Sequence, residues 1–308
     1  MTEGDFLDDL DARLLVDLLR DRITPDKSLG QHFLLDESVI ARSIQLPSEH
    51  GSPVNHDSHI LEVGPGPGSL TLGLLRSGAR VTALEIDDEA VEHLGRVFPD
   101  KADQLTLVNE DALKVTWPND ITHVIANIPY SISSPLLERI QRHHSETPLR
   151  SVVLLVQEEF ADRMSMKGGP ASSGPLGLSL WLDFEVLIDA KVPSSSFSPS
   201  PRVNSRLILL RPIERPGITP VFDRRLFRTI TQHCFANRRR KLRTLLASPP
   251  RRISRVRGWH KDRWIKTSKA ILESEIADLP LDWQNLRPEN LETAHWVILS
   301  DTFSSFTA

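Results

Sequence analysis

The sequence predicts an α/β fold with a mainly parallel central sheet, followed by a small all-α C-terminal domain. Short apolar runs alternate with helical patterns between residues 59 and 210, as in a sheet that helices cover on both faces. The Pro- and Gly-rich segment RPIERPGITP (211–220) is typical of a linker, and helical periodicity dominates after it. With 308 residues, 39% of them hydrophobic, the chain is long enough for two cores. We therefore expect a helical extension (1–27), an α/β domain (28–213) and a helical domain (214–308).

Each element of the α/β domain follows from its local pattern. Five short apolar runs predict strands, which are HILEV (59–63), RVTALEI (80–86), QLTLVNE (104–110), THVIAN (122–127) and SVVLLVQ (151–157). Amphipathic patterns between them predict helices over 68–78, 87–98 and 135–144. The pair His143–His144 fits the end of the last of these helices and no metal-site pattern. Two later runs, LSLWLDFEVLIDA (178–190) and VNSRLILLRP (203–212), predict a closing pair of strands.

Helical periodicity marks both ends of the chain. Leu10, Leu14 and Leu18 recur at helical spacing and predict an amphipathic N-terminal helix. After the linker, helical patterns occupy 221–247, 262–277 and 288–300. The segments GGPASSGP (168–175) and PSSSFSPSP (193–201) predict loops, although an aromatic residue, Phe197, in the middle of the second needs a reason.

Composition excludes several classes of protein. The only cysteine, Cys234, excludes an internal disulfide framework and argues against a cysteine-based metal site. The N-terminus is acidic and has no basic segment before an apolar one, so we expect no secretory signal. The apolar runs are too short to span a membrane. A cytoplasmic protein without a metal is the simplest expectation.

The net charge of −4 hides a strongly basic segment. Between Arg202 and Lys266 there are 19 lysines and arginines against three acids, which are Glu214, Asp223 and Asp262. Such an excess points to a polyanionic partner, although a solvated helix surface is the alternative. Arginine pairs with phosphate through two hydrogen bonds, so the motif FANRRRKLRTLL favours nucleic acid. The RNA-binding candidates are Arg238, Arg239, Arg240, Lys241 and Arg243.

A glycine loop follows the first strand in the segment LEVGPGPGSL. Gly64, Gly66 and Gly68 have the spacing G-x-G-x-G, which differs from the dinucleotide pattern G-x-G-x-x-G. Glu85 ends the next strand, where a carboxylate can accept both ribose hydroxyls of a nucleoside, and Asp111 follows the third strand and could accept from an adenine amino group. The loop contains no lysine or arginine to hold a pyrophosphate. A nucleoside without phosphates fits, and S-adenosylmethionine is the candidate cofactor; a packing turn with surface acids is the alternative.

The fourth strand ends in Asn-Ile-Pro-Tyr. Ligands of open α/β sheets lie at the carboxyl ends of the strands, so Asn127 should lie beside the cofactor. Pro129 keeps Ile128 out of the helical region, and Ser134 and Pro135 suit the N-cap and first turn of the next helix. The Asn127 amide oxygen and the Ile128 carbonyl then form two acceptors that match an exocyclic amino group. Tyr130 adds a ring on which a base can stack; a purely structural turn is the alternative.

Eight motifs in order resemble those of one known family. They are SLGQHFLLD (28–36), LEVGPGPGSLT (61–71), VTALEID (81–87), NEDAL (109–113), NIPYSISSP (127–135), VPSSSFSPSPRVNS (192–205), FANRRRKLRTLL (235–246) and LRPENL (286–291). Together they resemble the KsgA-type small-subunit rRNA adenine N6,N6-dimethyltransferases. The resemblance implies a Rossmann-like class I S-adenosylmethionine-dependent methyltransferase domain and a helical C-terminal RNA-binding domain. It also implies that His32 and Leu34 line the cofactor with Gly64, Gly66, Glu85, Asp111 and Asn127, and that Phe197 lies opposite Tyr130 on the target base.

The activity that this resemblance implies is dimethylation of two adjacent adenosines in the 3′-terminal helix of small-subunit rRNA. The expected partner is an immature small ribosomal subunit, on which the protein acts as a monomer with a role in subunit biogenesis. Two alternatives remain open. One is large-subunit rRNA methylation of the erythromycin-resistance type, and the other is an assembly factor whose catalysis is secondary.

Overall fold

A computed structural model describes residues 6–21, 31–167, 172–215, 217–219 and 221–306. The first three residues of the motif SLGQHFLLD, residues 168–171 of the predicted loop, and two prolines of the linker, Pro216 and Pro220, lie outside the described residues. The chain divides into two compact units. The first comprises the residues up to Ala161 together with Glu185–Pro212, and the second comprises Asp162–Phe184 and the residues from Ile213 onwards.

The first unit is built on a twisted sheet. In the described part of the chain, seven strands lie in the order β4-β3-β2-β5-β6-β9-β7, with bounds Leu105–Asn109, Arg80–Glu85, His59–Val63, His123–Asn127, Ser151–Gln157, Ser205–Pro212 and Phe184–Val192. The five strands from β4 to β6 pair in parallel, and β9 pairs antiparallel with β6. The five strands predicted from apolar runs are confirmed to within about a residue or two at each end. Near-continuous burial along β2, β3, β5 and β6 fits a parallel sheet that helices cover on both faces, whereas the edge strand β4 is only partly buried.

Helices and one short ribbon complete this unit. The helices are α1 (Ala12–Arg20), α2 (Glu37–Glu49), α3 (Ser69–Arg76), α4 (Asp88–Val97) and α5 (Ser133–Glu146), and α6 (Glu158–Ser165) begins in this unit and ends in the second. Aspartates at the N-caps of three helices accept backbone N–H groups: Asp11 from Leu14, Asp36 from Ser38, and Asp87 from Glu89 and Ala90. The ribbon pairs β1 (Phe33–Leu34) antiparallel with β8 (Phe197–Ser198). His143 and His144 lie in the last turn of α5, as predicted.

The buried face of α1 differs from the predicted one. Leu14 and Leu18 are 40% and 38% exposed. The buried stripe consists of Ala12, Leu15, Val16 and Leu19. This stripe has the i, i+3, i+4, i+7 spacing of a full amphipathic face, whereas Leu10 precedes the helix. Ala12 and Leu15 belong to the same apolar cluster as the strands, so α1 packs into the first unit.

Two other predictions of local structure are corrected. The run 178–190 is not one strand, because α7 (Pro175–Trp181) precedes β7. Pro175 begins this helix, and the Leu178 and Leu182 side chains belong to the apolar cluster of the second unit, which favours a helical turn there. Helix α5 begins at Ser133 instead of after an N-cap at Ser134, because a 3₁₀ turn over Tyr130–Ile132 leads directly into it.

The second unit is helical in its described part. Its main helices behind the linker are α8 (Arg224–Phe235), α9 (Leu242–Leu246), α10 (Lys261–Glu273) and α11 (Thr293–Ser305). Asp223 caps α8 by accepting from the Arg225 and Leu226 N–H groups. The core is rich in aromatic residues, and the Trp264 and Phe303 rings stack with centroids 4.7 Å apart. None of the helices in the described part of the chain has both the length and the apolar character that crossing a membrane requires.

Candidate active site

The site is a cavity of about 320 Å³ at the carboxyl ends of β2, β3 and β5. Its volume lies in the range of small-molecule pockets. All seven residues predicted to bind the cofactor line this one cavity, and so do three further residues of the Asn-Ile-Pro-Tyr motif: His32, Leu34, Gly64, Gly66, Glu85, Asp111, Asn127, Ile128, Pro129 and Tyr130. The structure therefore brings together side chains that are up to about a hundred residues apart in sequence.

The glycine loop has a backbone conformation and a tight packing that require glycine at two positions. Gly66 has φ +53°, in the left-handed region that glycine adopts without strain. A Cβ atom at this position would come within 3.1 Å of the Phe33 ring. Gly68, which has φ +91°, would place a Cβ atom 2.8 Å from the side chains of Leu94 and Phe98. The loop thus packs tightly against Phe33, Leu94 and Phe98, and residues such as Gly64 and Gly66 line the cavity.

Glu85 is a buried carboxylate at the end of β3. One of its oxygens accepts the Gly66 N–H at 3.1 Å, and the other accepts the Ile86 and Asp87 N–H groups at 2.8 and 3.1 Å. Burial raises the pKa of Glu85, and these backbone hydrogen bonds act in the opposite direction. The carboxylate is therefore held in one orientation in the cavity wall, which is what recognition of a pair of hydroxyls requires.

Glu62 lies deeper in the same wall. It is 1% exposed, and one oxygen accepts the Thr71 hydroxyl at 2.7 Å. Burial raises its pKa to about 8, with a smaller contribution from the nearby charge of Glu85. Glu62 therefore carries a proton at neutral pH. The single acid of the strand HILEV, placed among apolar residues, was the sequence signal that could have identified it.

Asp111 lies beyond the end of β4 and lines the same cavity. Its Oδ1 accepts the Leu113 N–H at 2.9 Å, and its Oδ2 lies 2.9 Å from Lys114 Nζ. The Leu113 N–H and the Lys114 ammonium lower its pKa, so it remains an acceptor. Arg139 supports this loop from α5, because its guanidinium donates to the Val115 carbonyl at 2.6 Å.

Asn127 and His32 contact each other in the cavity wall. The Asn127 Nδ2 donates to the His32 carbonyl oxygen at 2.9 Å. This bond fixes the amide and leaves its oxygen as the acceptor on the other side. His32 is fixed in turn, because its Nδ1 lies 2.7 Å from the Pro199 carbonyl and therefore carries the proton. The sequence predicted both residues but did not predict this bond between them.

Tyr130 stands next to this pair in the cavity wall. Its ring lies 5.6 Å from the His32 ring at an interplanar angle of 33°, and its hydroxyl lies 2.9 Å from the Ser205 hydroxyl. Ser205 is fully buried, so it restrains the hydroxyl end of the ring. Desolvation raises the pKa of Tyr130, which keeps the phenol neutral. Ser205 is a site residue that sequence reasoning missed, because a serine at the start of a strand gives no signal of its own.

Phe197 does not lie in the cavity wall. It is 3% exposed, belongs to the apolar core of the first unit and pairs with Leu34 in the β1–β8 ribbon. The segment predicted as a loop is therefore tied down, with the Leu35 N–H bonded to the Ser196 carbonyl at 2.9 Å. In this position Phe197 has no face available to a base, so stacking opposite Tyr130 would require the ring to leave the core.

The predicted RNA-binding residues lie in the second unit and differ among themselves. Arg239, Arg240 and Arg243 are exposed. Arg238 is instead partly buried, with its Nε 2.8 Å from a Glu289 oxygen. Lys241 Nζ lies 3.2 Å from the Asn285 side-chain oxygen. The structure therefore assigns Arg238 to an ion pair within the helical unit, which the motif alone did not indicate.

Comparison with known proteins places this architecture in a family. The family model for ribosomal RNA adenine dimethylase matches residues 24–262. A ribosomal RNA small subunit methyltransferase A from Synechococcus sp. (strain JA-2-3B'a(2-13)) is 34% identical over 284 residues, covering 90% of this chain and 92% of the relative.

Two solved structures share the fold. A dimethyladenosine transferase from Plasmodium falciparum aligns with a TM-score of 0.68 and 23% identity, covering 87% of this chain and 96% of that one. The 23S rRNA methyltransferase ErmE aligns with a TM-score of 0.62 and 23% identity, covering 89% and 100%. The structural likeness shows a Rossmann-like class I methyltransferase fold, and the sequence match goes further: the chain belongs to the ribosomal RNA adenine dimethylase family.

Proposed function

We propose that this protein transfers methyl groups from S-adenosylmethionine to N6 of two adjacent adenosines in the 3′-terminal helix of small-subunit rRNA, giving N6,N6-dimethyladenosine. The observation that carries the proposal is the Asn127 amide, which the His32 carbonyl holds in one orientation within the cavity. Its oxygen is thereby preorganised to accept a hydrogen bond from the amino group of the adenine. Dimethylation of each base requires two transfers, with cofactor exchange between them.

The described cavity wall fits a nucleoside cofactor without phosphates. It contains the carboxylates of Glu85 and Asp111, no lysine or arginine lines it, and the nearby Lys114 ammonium is already paired with Asp111. Glu85 suits the two ribose hydroxyls, and Asp111 suits an adenine amino group. S-adenosylmethionine supplies a methyl group on a positively charged sulfur, and the mainly apolar wall lacks a competing cation.

The residues of the Asn-Ile-Pro-Tyr turn act on the target base. The Asn127 oxygen and the Ile128 carbonyl accept the two amino hydrogens of the adenine and hold them out of the ring plane. This localises the lone pair of the amino nitrogen and directs it towards the methyl group. Positioning and fixed dipoles then supply most of the acceleration, and no strong base is needed, because a proton leaves the nitrogen after methyl transfer. Tyr130 supports the unstacked base with its ring.

The helical domain (214–308) binds the RNA in this proposal, and the residues before it (28–213) carry out the chemistry. Exposed arginines such as Arg239 and Arg240 neutralise phosphates and supply affinity without reading bases. Residues 1–27 are an N-terminal extension of the chemical domain, and its described part contains helix α1 (Ala12–Arg20). The protein acts as a monomer on an immature small subunit. The small subunit is favoured over the large one because the relative from Synechococcus sp. carries a small-subunit name.

The direct test is methyl incorporation followed by mass spectrometry. The full chain is incubated with isotopically labelled cofactor and either immature small subunits or large subunits. We expect two dimethylated adenosines in a single fragment from the 3′ end of small-subunit rRNA. Label in large-subunit rRNA alone would replace the proposal with the drug-resistance activity. Stable binding to small subunits without any label would support the assembly-factor alternative instead.

A further inference from the structure

A second cationic surface lies between α9 and α10, outside the arginine cluster that the motif FANRRRKLRTLL indicated. We infer that residues 251–257, here called the arginine segment, form a further docking surface for the phosphate backbone of the rRNA substrate. The inference rests on the proposed function, because it assumes an RNA substrate. Its members Arg251, Arg252, Arg255 and Arg257 are all exposed.

The arginine segment is an ordered turn. Its backbone makes successive hydrogen bonds, from Ile253 N–H to the Pro250 carbonyl, from Arg255 to Arg252, and from Val256 to Ile253, each at 3.0 Å. Ile253 and Val256 are 1% and 2% exposed and belong to the apolar core of the second unit. Because the turn is 3₁₀ in character, residues three apart share a side. Arg252 and Arg255 therefore share the outer side, as Ile253 and Val256 share the inner one.

The end of the segment is also fixed. Trp259 is buried, and its N–H bonds to the Val256 carbonyl at 3.1 Å. The Arg263 guanidinium stacks over the Trp259 ring at 4.6 Å and donates to the Gly258 carbonyl at 2.7 Å. Arg263 is thus used to hold the turn, and we do not count it as part of the surface. A preformed turn loses less conformational freedom on binding than a flexible one.

No acidic side chain in the described part of the chain forms an ion pair with the arginines of the segment. No ion pair involves Arg251, Arg252, Arg255 or Arg257 among the described residues, and the only acid between residues 249 and 269 is Asp262. Like charges this close repel each other, so their display on an anchored turn favours a partner with dense negative charge. Arginine suits phosphate because its planar fork makes two hydrogen bonds.

The test is the salt dependence of RNA binding by the full chain. Wild type and the variant R251Q/R252Q/R255Q/R257Q are titrated onto a full-length small-subunit rRNA transcript over a series of salt concentrations. The slope of log affinity against log salt should fall by roughly 0.7–0.9 for each phosphate that the variant no longer neutralises. The variant R251K/R252K/R255K/R257K keeps the charges and should keep the wild-type slope while binding more weakly.

A matched control removes the same number of charges from the first unit. The variant R13Q/R20Q/R142Q/R150Q replaces four exposed arginines and should leave the slope unchanged. An equal fall of the slope in both glutamine variants would mean that only net charge matters. An unchanged slope in the segment variant would mean that these arginines face solvent in the complex. Either result overturns the inference. A lysine variant whose slope falls as well would indicate a damaged fold and also overturn it. Failure of the proposed function is seen separately, as absence of methyl transfer to immature small subunits by the wild type.

Discussion

The two units use polar groups in opposite ways. In the first unit the functional polar groups are buried or half-buried, and neighbouring groups fix each of them, as the His32 carbonyl fixes Asn127 and three backbone N–H groups fix Glu85. In the second unit the cations are mostly exposed, as at Arg239 and Arg240. Buried, oriented groups act strongly and one at a time, whereas exposed charges act weakly, add up and are screened by salt. Substitutions in the two units should therefore give different kinds of defect.

The largest effect should come from Asn127→Ala. Loss of one preorganised electrostatic partner typically costs about 10²–10³ in rate, so single-turnover methyl transfer at saturating RNA should be nearly abolished. RNA affinity should stay close to that of the wild type, because this amide is a small part of the RNA footprint. Methyl transfer at the wild-type rate would refute the two-acceptor account. A loss of RNA binding in proportion to activity would instead make Asn127 a structural turn residue.

Two variants of Tyr130 distinguish the contribution of its ring, as a stacking surface, from that of its hydroxyl, which holds the ring in position. Tyr130→Ala removes the stacking surface, worth about 1–3 kcal/mol per base, and should weaken productive binding of the target adenine by roughly ten- to a hundredfold. Tyr130→Phe keeps the ring and removes only the hydrogen bond with the Ser205 hydroxyl, so its defect should be much smaller. Ser205→Ala is the matched control and should resemble Tyr130→Phe. Equal defects in the alanine and phenylalanine variants, measured by single-turnover kinetics, would show that the hydroxyl matters more than the ring.

Glu85→Ala should act on cofactor affinity. A hydrogen bond to a charged group contributes about 1.5–3 kcal/mol, so we expect an affinity for S-adenosylmethionine that is at least tenfold lower by calorimetry. Methyl transfer at saturating cofactor should suffer less, because this carboxylate does not contact the target base in our proposal. Unchanged affinity would remove Glu85 from the cofactor site.

The arginine cluster of the second unit allows a comparison within one motif. The variant R239Q/R240Q should lower the slope of log RNA affinity against log salt by about 0.7–0.9 per phosphate, with little change in melting temperature. Arg238→Gln breaks the ion pair with Glu289 and should lower the melting temperature instead, because partly exposed ion pairs contribute about 0.2–1 kcal/mol. A lower melting temperature for R239Q/R240Q and a lower salt slope for Arg238→Gln would contradict the ion pair that the structure shows at Arg238.

The last prediction concerns pH. Burial raises the pKa of Glu62 from its ordinary value of 4.5 to about 8, so the folded protein holds this proton more tightly than the unfolded chain. Its contribution to stability is therefore fully present below pH 4.5 and declines as the pH rises towards about 8. Glu62→Gln should make the melting temperature less dependent on pH between about 5 and 8, as differential scanning calorimetry can measure. A pH profile identical to that of the wild type would mean that the carboxyl is not the titrating group.

Much of the candidate site was predictable because it depends on short-range pattern and one rule of topology. Apolar runs identify the strands, and the carboxyl ends of parallel strands meet at one edge of a sheet. Residues at or just beyond the ends of those runs, such as Asn127, Glu85 and Asp111, must therefore converge. The cavity contains all three. Motifs in their order along the chain were also sufficient to indicate the family.

Other features depended on segments that are distant in sequence. Phe197 stands in a Ser- and Pro-rich segment that predicts an exposed loop, but pairing of its strand with Phe33–Leu34 buries it. Arg238 belongs to a run of cations that are equivalent in sequence, yet Glu289 draws it into an ion pair. Helix α7 was missed because its apolar residues pack on the helical unit, and an apolar run alone does not distinguish a buried strand from a buried helix.

The sequence by itself determined the order of the strands along the chain, the conformation of the glycine loop and the residue types at the cavity, since these follow from the side chain and its immediate neighbours. Only the tertiary structure decided which titratable groups carry a proton and which polar groups are fixed in orientation by a hydrogen-bond partner. Glu62 is neutral because the packed sheet excludes water around it. Asn127 presents its oxygen because the His32 carbonyl, 95 residues away in sequence, occupies its other end. Desolvation and hydrogen-bond partners are properties of the folded environment, and no local pattern encodes them.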